Sequence, residues 1–425
     1  MSLIKSSLLN GIAVLVKMVS LLGLNKVLAI YVGPAGYAAV GQLQNAVQIL
    51  TTISSGAINS GVVKYTAEYG GEADKERALW KTAGALTAYA SAVLALFMAI
   101  FNLQLSAVFF GNEQFGSVFL WFAIGIVFFS YNALLLALLN GKQEMFSYVI
   151  ANIAGSLLSF FATLLLTSRF GLYGALVALV TYQSFSFVVT ACVLRKRDWF
   201  RWGYIVGRVD PIIAKNLGRF ALMALTSAAC VPLAQMLIRQ HLIQVFGGAE
   251  AGYWEAMSRL SSAYLLMITT TLGVYYLPRL SELKSGQAIK REIIDGYKVI
   301  IPLMLLGCGF VYLVRDWVVS LLFTQEFSPM RVLFAGQLVG DVLKIVSWVV
   351  SYVMLSKAML RLFILTEVAS CVLLYGFTLL FTHYLGLEGA TWAYAMNYLV
   401  YGVAMYVCVY RRLDDRLGPE KGQLA

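Results

Sequence analysis

Five cations stand inside long apolar runs of this 425-residue chain: Lys17, Lys26, Arg239, Arg259 and Lys344. The acids in those runs are chiefly Glu255, Asp341 and Glu367. An ionised side chain at the middle of a bilayer costs about 2.5 to 3.5 kcal/mol on insertion scales, so such groups face a bundle interior or a watery cavity. The excess charge is positive, and a path lined in this way attracts an anion. A pyrophosphate carrying a lipid is the obvious large anion borne by a membrane, and the Asn, Gln, Ser, Tyr and Trp residues around the cations suit hydroxyl-rich sugars. Carriers of drugs and of nucleotide sugars also use polar cavities, so that alternative stays open.

Spacing divides these residues into two groups. In the first run Asn10, Lys17 and Ser20 share a helical face. Lys26 lies half a turn from Lys17 near the outer end, where it either snorkels to the interface or reaches the cavity. The second run carries Gln42, Asn45, Thr52 and Asn59 on one stripe. Gln235 and Arg239 are four apart, with Pro232 a turn earlier, and a proline in a membrane helix marks a bend beside a site. Glu255 and Arg259, at i and i+4, form a local ion pair or contact substrate. The candidate substrate contacts are therefore Lys17, Lys26, Asn45, Gln235, Arg239 and Arg259.

The second group concerns ions. Gln337, Asp341, Lys344 and Trp348 share a face, and Asp341 and Lys344, at i and i+3, neutralise each other in the plainer reading. In the functional one a proton or cation at Asp341 releases Lys344 and couples ion entry to a conformational change. Glu367 is a further ion-coupling candidate, its alternative being an interhelical hydrogen bond. No catalytic group, metal site or cofactor is indicated. His241 and His383 lack ligand spacing, and the five cysteines are scattered through apolar segments. GxxxxGK[ST] is absent, so energy comes from a proton or sodium gradient or from downhill removal of substrate. The outer loops are too short to build the extramembrane site of a glycosyltransferase or polymerase.

The elements that position these residues are membrane helices. Hydrophobic residues make up 60% of the chain and charged ones 12%, against roughly a quarter charged in soluble domains. Apolar stretches of about 20 residues, the length that crosses a bilayer, predict twelve spans, the first at 8–30 and the last at 388–410. The net charge of +11 lies in loops and does not converge on a soluble face, which excludes nucleic acid. With the N-terminus inside, cytoplasmic segments hold 24 Lys and Arg and the other side holds only Arg169, Arg315 and Arg331, so both termini are expected to be cytoplasmic. Lys5 precedes an apolar run as in a signal peptide, but the run is long, contains Lys17 and has no small-residue cleavage site. It is expected to remain as the first helix.

A shift of about 215 residues aligns Gly171-Leu172-Tyr173-Gly174-Ala175 with Gly386-Leu387-Glu388-Gly389-Ala390, and Lys142 with Lys357. Six spans per half give both halves the same orientation and predict a pseudo-two-fold axis along the membrane normal. The expected parts are a six-helix lobe at 1–194, a basic cytoplasmic linker at 195–219, a second lobe at 220–410 and a tail at 411–425.

Leu15-Val16-Lys17, Gly33-Pro34-Ala35-Gly36, Phe220 to Leu225, Tyr276-Leu277-Pro278 and Gly340-Asp341-Val342-Leu343-Lys344 occur in an order and spacing that resembles the Wzx-type polysaccharide translocases, over nearly the whole chain. The resemblance implies the all-α fold of the MOP exporter superfamily, with a central cavity lined mainly by spans 1, 2, 7 and 8. It implies a flippase moving an undecaprenyl-pyrophosphate-linked oligosaccharide from the cytoplasmic to the periplasmic leaflet of the bacterial inner membrane. A cation-coupled multidrug exporter of the same fold is the alternative. A polymerase and a chain-length regulator are partners by family analogy, beside membrane lipid.

Overall fold

The computed structural model describes residues 3–55, 57–283, 285–357 and 359–413. The side chains of several of these, Lys17 among them, lie outside the description. The described residues form helices and no strand. In chain order they are α1 (Leu3–Tyr31), α2 (Gly33–Ser54), α3 (Asn59–Glu68), α4 (Ala73–Ile100), α5 (Asn102–Phe110), α6 (Gly116–Gly141), α7 (Met145–Arg195), α8 (Pro211–Val245), α9 (Gly248–Glu282), α10 (Gly286–Leu313), α11 (Arg315–Leu322), α12 (Phe334–Ser356), α13 (Leu360–Leu385) and α14 (Gly389–Cys408). With α2 and α3 as one bent span, and α7 divided at Gly171, twelve segments of spanning length result among the described residues, six or seven of the helices also being apolar enough to cross a bilayer by composition. The short α5 and α11 follow the third span of each half.

The helices turn apolar faces outward. On α4, Tyr89, Val93, Leu96, Phe97 and Ile100 are exposed, while Thr87 and Ser91 on the other side are fully buried. A water-soluble helix has the opposite pattern. On α10, Leu303, Leu306, Phe310 and Leu313 all face outward. With no water in hydrocarbon, each helix satisfies its own backbone and the hydroxyls bond within or between helices. Ser91 donates to the Thr87 carbonyl, and Asn132 of α6 joins Gln183 and Thr190 of α7.

The repeat is written in the backbone. Gly171 interrupts α7 at φ 55°, ψ −133°, and its counterpart Gly386 separates α13 from α14 at φ 61°, ψ −146°. Positive φ with an extended ψ is open only to a residue without a β-carbon. Three residues on, a β-carbon on Gly174 would meet the carbonyl of Leu166, and one on Gly389 the carbonyl of Phe381. Both glycines therefore let the chain fold back closely, and both contacts are repeat-equivalent.

The chain divides into two compact units, residues 1–233 and 234–425. The basic segment between the halves is shorter than the expected 195–219, because α8 begins at Pro211, a residue preset for a helix start. Residues 196–210 are non-helical apart from a turn at Trp202–Tyr204. They are fixed to the N-terminal unit. Phe200 and Ile205 are buried, the Asp210 amide donates to Thr82, and Arg197 donates to Ser147 and pairs with Glu144 at 3.3 Å. Trp199 Nε1 donates to Glu144 at 3.0 Å. Beside them Lys142 pairs with Glu76 at 2.5 Å, its ammonium 5.5 Å from the Trp80 ring and 5.8 Å from Trp199.

Burial alone would push the Glu144 carboxyl up, but donation from Trp199 and Ser147 and the charge of Arg197 outweigh it and hold it below the ordinary value. A depressed value in the folded state means that the contact stabilises at neutral pH and is lost as pH falls through that lowered value. Trp199 emission, isolated by subtracting a Trp199→Phe variant, should shift to the red through that acid window. In Glu144→Gln it should already be shifted at neutral pH.

Candidate functional site

Two buried polar clusters lie in the C-terminal unit. The first joins α8 to α9. Arg239 of α8 is 1% exposed and donates to Glu255 Oε2, with its guanidinium 5.5 Å from the Trp254 ring. Arg259, one turn along α9, gives its Nε to Glu255 Oε1 at 2.7 Å and keeps 18% of its side chain exposed. One carboxylate thus serves two guanidiniums, leaving the trio with one surplus positive charge. Sequence pattern made Arg239 a deep, open cation. It is instead a buried ion-pair partner, because the carboxylate sixteen residues away is folded onto it. The Glu255–Arg259 pair exists, and Arg259 is its accessible end.

The second cluster joins α9, α12 and α14. Asp341 is completely buried. Its carboxylate accepts from Ser261, 2.8 Å from both oxygens, from Tyr264, from Gln337 at 3.2 Å and from Tyr394 at 3.0 Å. These donors replace water around a charge that would otherwise be prohibitive to bury. Asp341 and Lys344 lie within each other's electrostatic reach, but among the described residues no direct salt bridge joins them. The ammonium lies over three rings instead, 4.8 Å from Trp348, 5.8 Å from Tyr394 and 5.6 Å from Tyr398. Helical spacing puts the two residues on one face with Gln337 and Trp348, which contact them, but most of the other groups around them come from α9 and α14, far away in sequence. Glu367 of α13 makes no hydrogen bond among the described residues and is within the electrostatic reach of Lys344.

The remaining candidates are dispersed. Asn45 of α2 is 5% exposed, and its Nδ2 finds no hydrogen-bond partner among the described residues. Lys26 and Gln235 are half-buried on α1 and α8. The Lys17 side chain is outside the described residues. Ser261, Tyr264, Tyr394 and Tyr398 were not singled out from the sequence. Their only signal there is spacing, i and i+3 for Ser261 and Tyr264 and i and i+4 for the tyrosines of α14.

Spanning helices with apolar outer faces and ionised groups folded inward define a multi-pass membrane transporter. Solved structures agree on the fold. An inward-facing multidrug resistance MATE family transporter of the MOP superfamily superposes with a TM-score of 0.80 at 16% identity, covering 95% of this chain and 96% of the other. A point mutant of the Vibrio cholerae MATE transporter VcmN gives 0.67 at 14% over 97% and 98%. Among curated proteins, the lipid III flippases of Escherichia coli (strain K12) and Shigella flexneri are each 33% identical over 405 residues, 94% of this chain and 96% of theirs. The model of the polysaccharide biosynthesis protein family matches residues 3–284. The chain belongs to that family.

Glu255→Gln should strip the shared carboxylate from both guanidiniums and destabilise by about 3 kcal/mol. Arg259→Ala leaves Arg239–Glu255 paired and should cost no more than about 1 to 2 kcal/mol. Denaturation of the purified protein in detergent, compared across both variants, tests the order.

Proposed function

We propose that the chain is a flippase carrying an undecaprenyl-pyrophosphate-linked oligosaccharide repeat unit from the cytoplasmic to the periplasmic leaflet by alternating access. The unit would serve O-antigen, enterobacterial common antigen or a related surface polysaccharide. The observation that carries the reading is the near full-length likeness to relatives named lipid III flippases. The charge distribution supports it: Glu255 fixes Arg259 in place and leaves one positive charge in excess, the sign required by a diphosphate, and a guanidinium suits phosphate oxygens geometrically. Lys17, Lys26, Asn45, Gln235 and Arg239 are the further substrate-side residues, with Arg239 acting through Glu255. Asp341, Lys344 and Glu367 are assigned to ion coupling.

The bias of Lys and Arg supports an inner-membrane protein with both termini in the cytoplasm. A polymerase and a chain-length regulator are the partners such a carrier would supply.

Cells lacking the chain should accumulate lipid-linked repeat units, visible by mass spectrometry, and lose the surface polysaccharide. Drug sensitivity with intact surface sugars would make it a drug exporter, and altered sugar chain length without accumulation would make it a polymerase. Arg259→Ala should reduce delivery about tenfold, the loss of one charge-assisted contact, and Arg259→Lys should restore part of it.

A further inference from the structure

The Gly340–Lys344 segment is explained by what α14 brings to it. α12 presents Gly336 and Gly340 four residues apart, a spacing that lets two membrane helices approach closely. A β-carbon on Gly336 would lie 2.6 Å from Thr391 Oγ1, and one on Gly340 would run into the ring of Tyr394. Tyr394 is thereby seated against α12, with its hydroxyl on Asp341 Oδ1 and its ring facing the Lys344 ammonium. One side chain touches both the carboxylate and the amine, which do not touch each other.

The groups around this pair come from five helices. α9 supplies Ser261 and Tyr264, α12 supplies Gln337 and Trp348, and α14 supplies Tyr394 and Tyr398. Cys308 of α10 lies within electrostatic reach of Asp341, and Glu367 of α13 within that of Lys344. The surroundings are apolar, with Leu265, Ile345 and Val349 in the same core. With every acid and base ionised, Asp341 and Glu367 carry two negative charges and Lys344 one positive. A single added positive charge makes the cluster neutral.

We propose that this cluster is a one-proton site, with Asp341 as the acceptor and Tyr394 as the residue that transmits its charge to Lys344. It supplies the coupling step of the flippase reading and rests on that reading for its purpose, though the site itself needs no substrate. The proton adds to a carboxylate oxygen of Asp341, and a hydroxyl that had donated there turns to accept. Lys344, whose ammonium is held by ring faces and attracted by both acids, then answers to Glu367 alone. The ligand is a proton and not a sodium ion because hard cations need inward-facing oxygen lone pairs, and the groups around Asp341 spend their hydrogens on it.

Trp348 forms one wall of the Lys344 cage and reports on it. In purified full-length protein in nanodiscs, without substrate, the emission difference between wild type and Trp348→Phe should show a single step with pH. The step should be unchanged when potassium is replaced by sodium and absent in Asp341→Asn. Tyr394→Phe keeps the ring and loses only the hydroxyl, so it should retain the step with its midpoint displaced by about one pH unit. A sodium-dependent step, a step that survives Asp341→Asn, or an unmoved midpoint in Tyr394→Phe would overturn the proposal. If Asp341→Asn does not fold, as judged by circular dichroism, Tyr394→Phe and the sodium arm decide. A normal step in a protein whose deletion accumulates no lipid-linked sugar would leave the site standing and remove the flippase reading.

Discussion

A charge taken out of water must be met by polar groups wherever the fold carries it, and the C-terminal unit is organised around that demand. Asp341 draws donors from three helices, so α9, α12 and α14 cannot separate without exposing a carboxylate to hydrocarbon. Glu255 does the same between α8 and α9. In a bilayer, where lipid is as apolar as leucine, contacts of this kind supply specificity that the hydrophobic effect cannot. The aliphatic core of this unit packs around the polar clusters and does not by itself choose which helices meet.

The N-terminal unit has the same helical plan and a different chemistry. Its described interhelical bonds within the span region are between neutral groups, such as Asn132 with Gln183 and Thr190 and Ser54 with Ser130. Its described ion pairs collect at the end where α4, the α6–α7 turn and the linker meet. There the tryptophans and carboxylates hold residues 196–210 onto this unit, making the linker part of one lobe and not a loose tether.

Much of this is legible in the sequence. A spanning helix has to be a long apolar run, so the spans, the all-α class and the repeat follow from counting. The faces of helices follow from periodicity, which is why Asp341 and Lys344 were rightly placed together on α12. Periodicity is silent about neighbours remote in sequence. It could not show that Tyr394 would come between those two residues, or that Glu255 would close over Arg239. The linker is shorter than the sequence suggests because Pro211 starts a helix whose first turns mix Ile212, Ile213 and Leu217 with Lys215, Asn216 and Arg219, so no unbroken apolar run announces them.

The paired breaks at Gly171 and Gly386 bear on how such a protein can be rebuilt. Each depends on backbone geometry and on a missing β-carbon, and needs no partner from elsewhere in the molecule. The last helix of each half is thus attached through a joint of its own. Chimaeras between relatives that handle different cargo have natural splice points at these two joints, where the exchanged piece meets a conformation that glycine supplies on both sides of the cut.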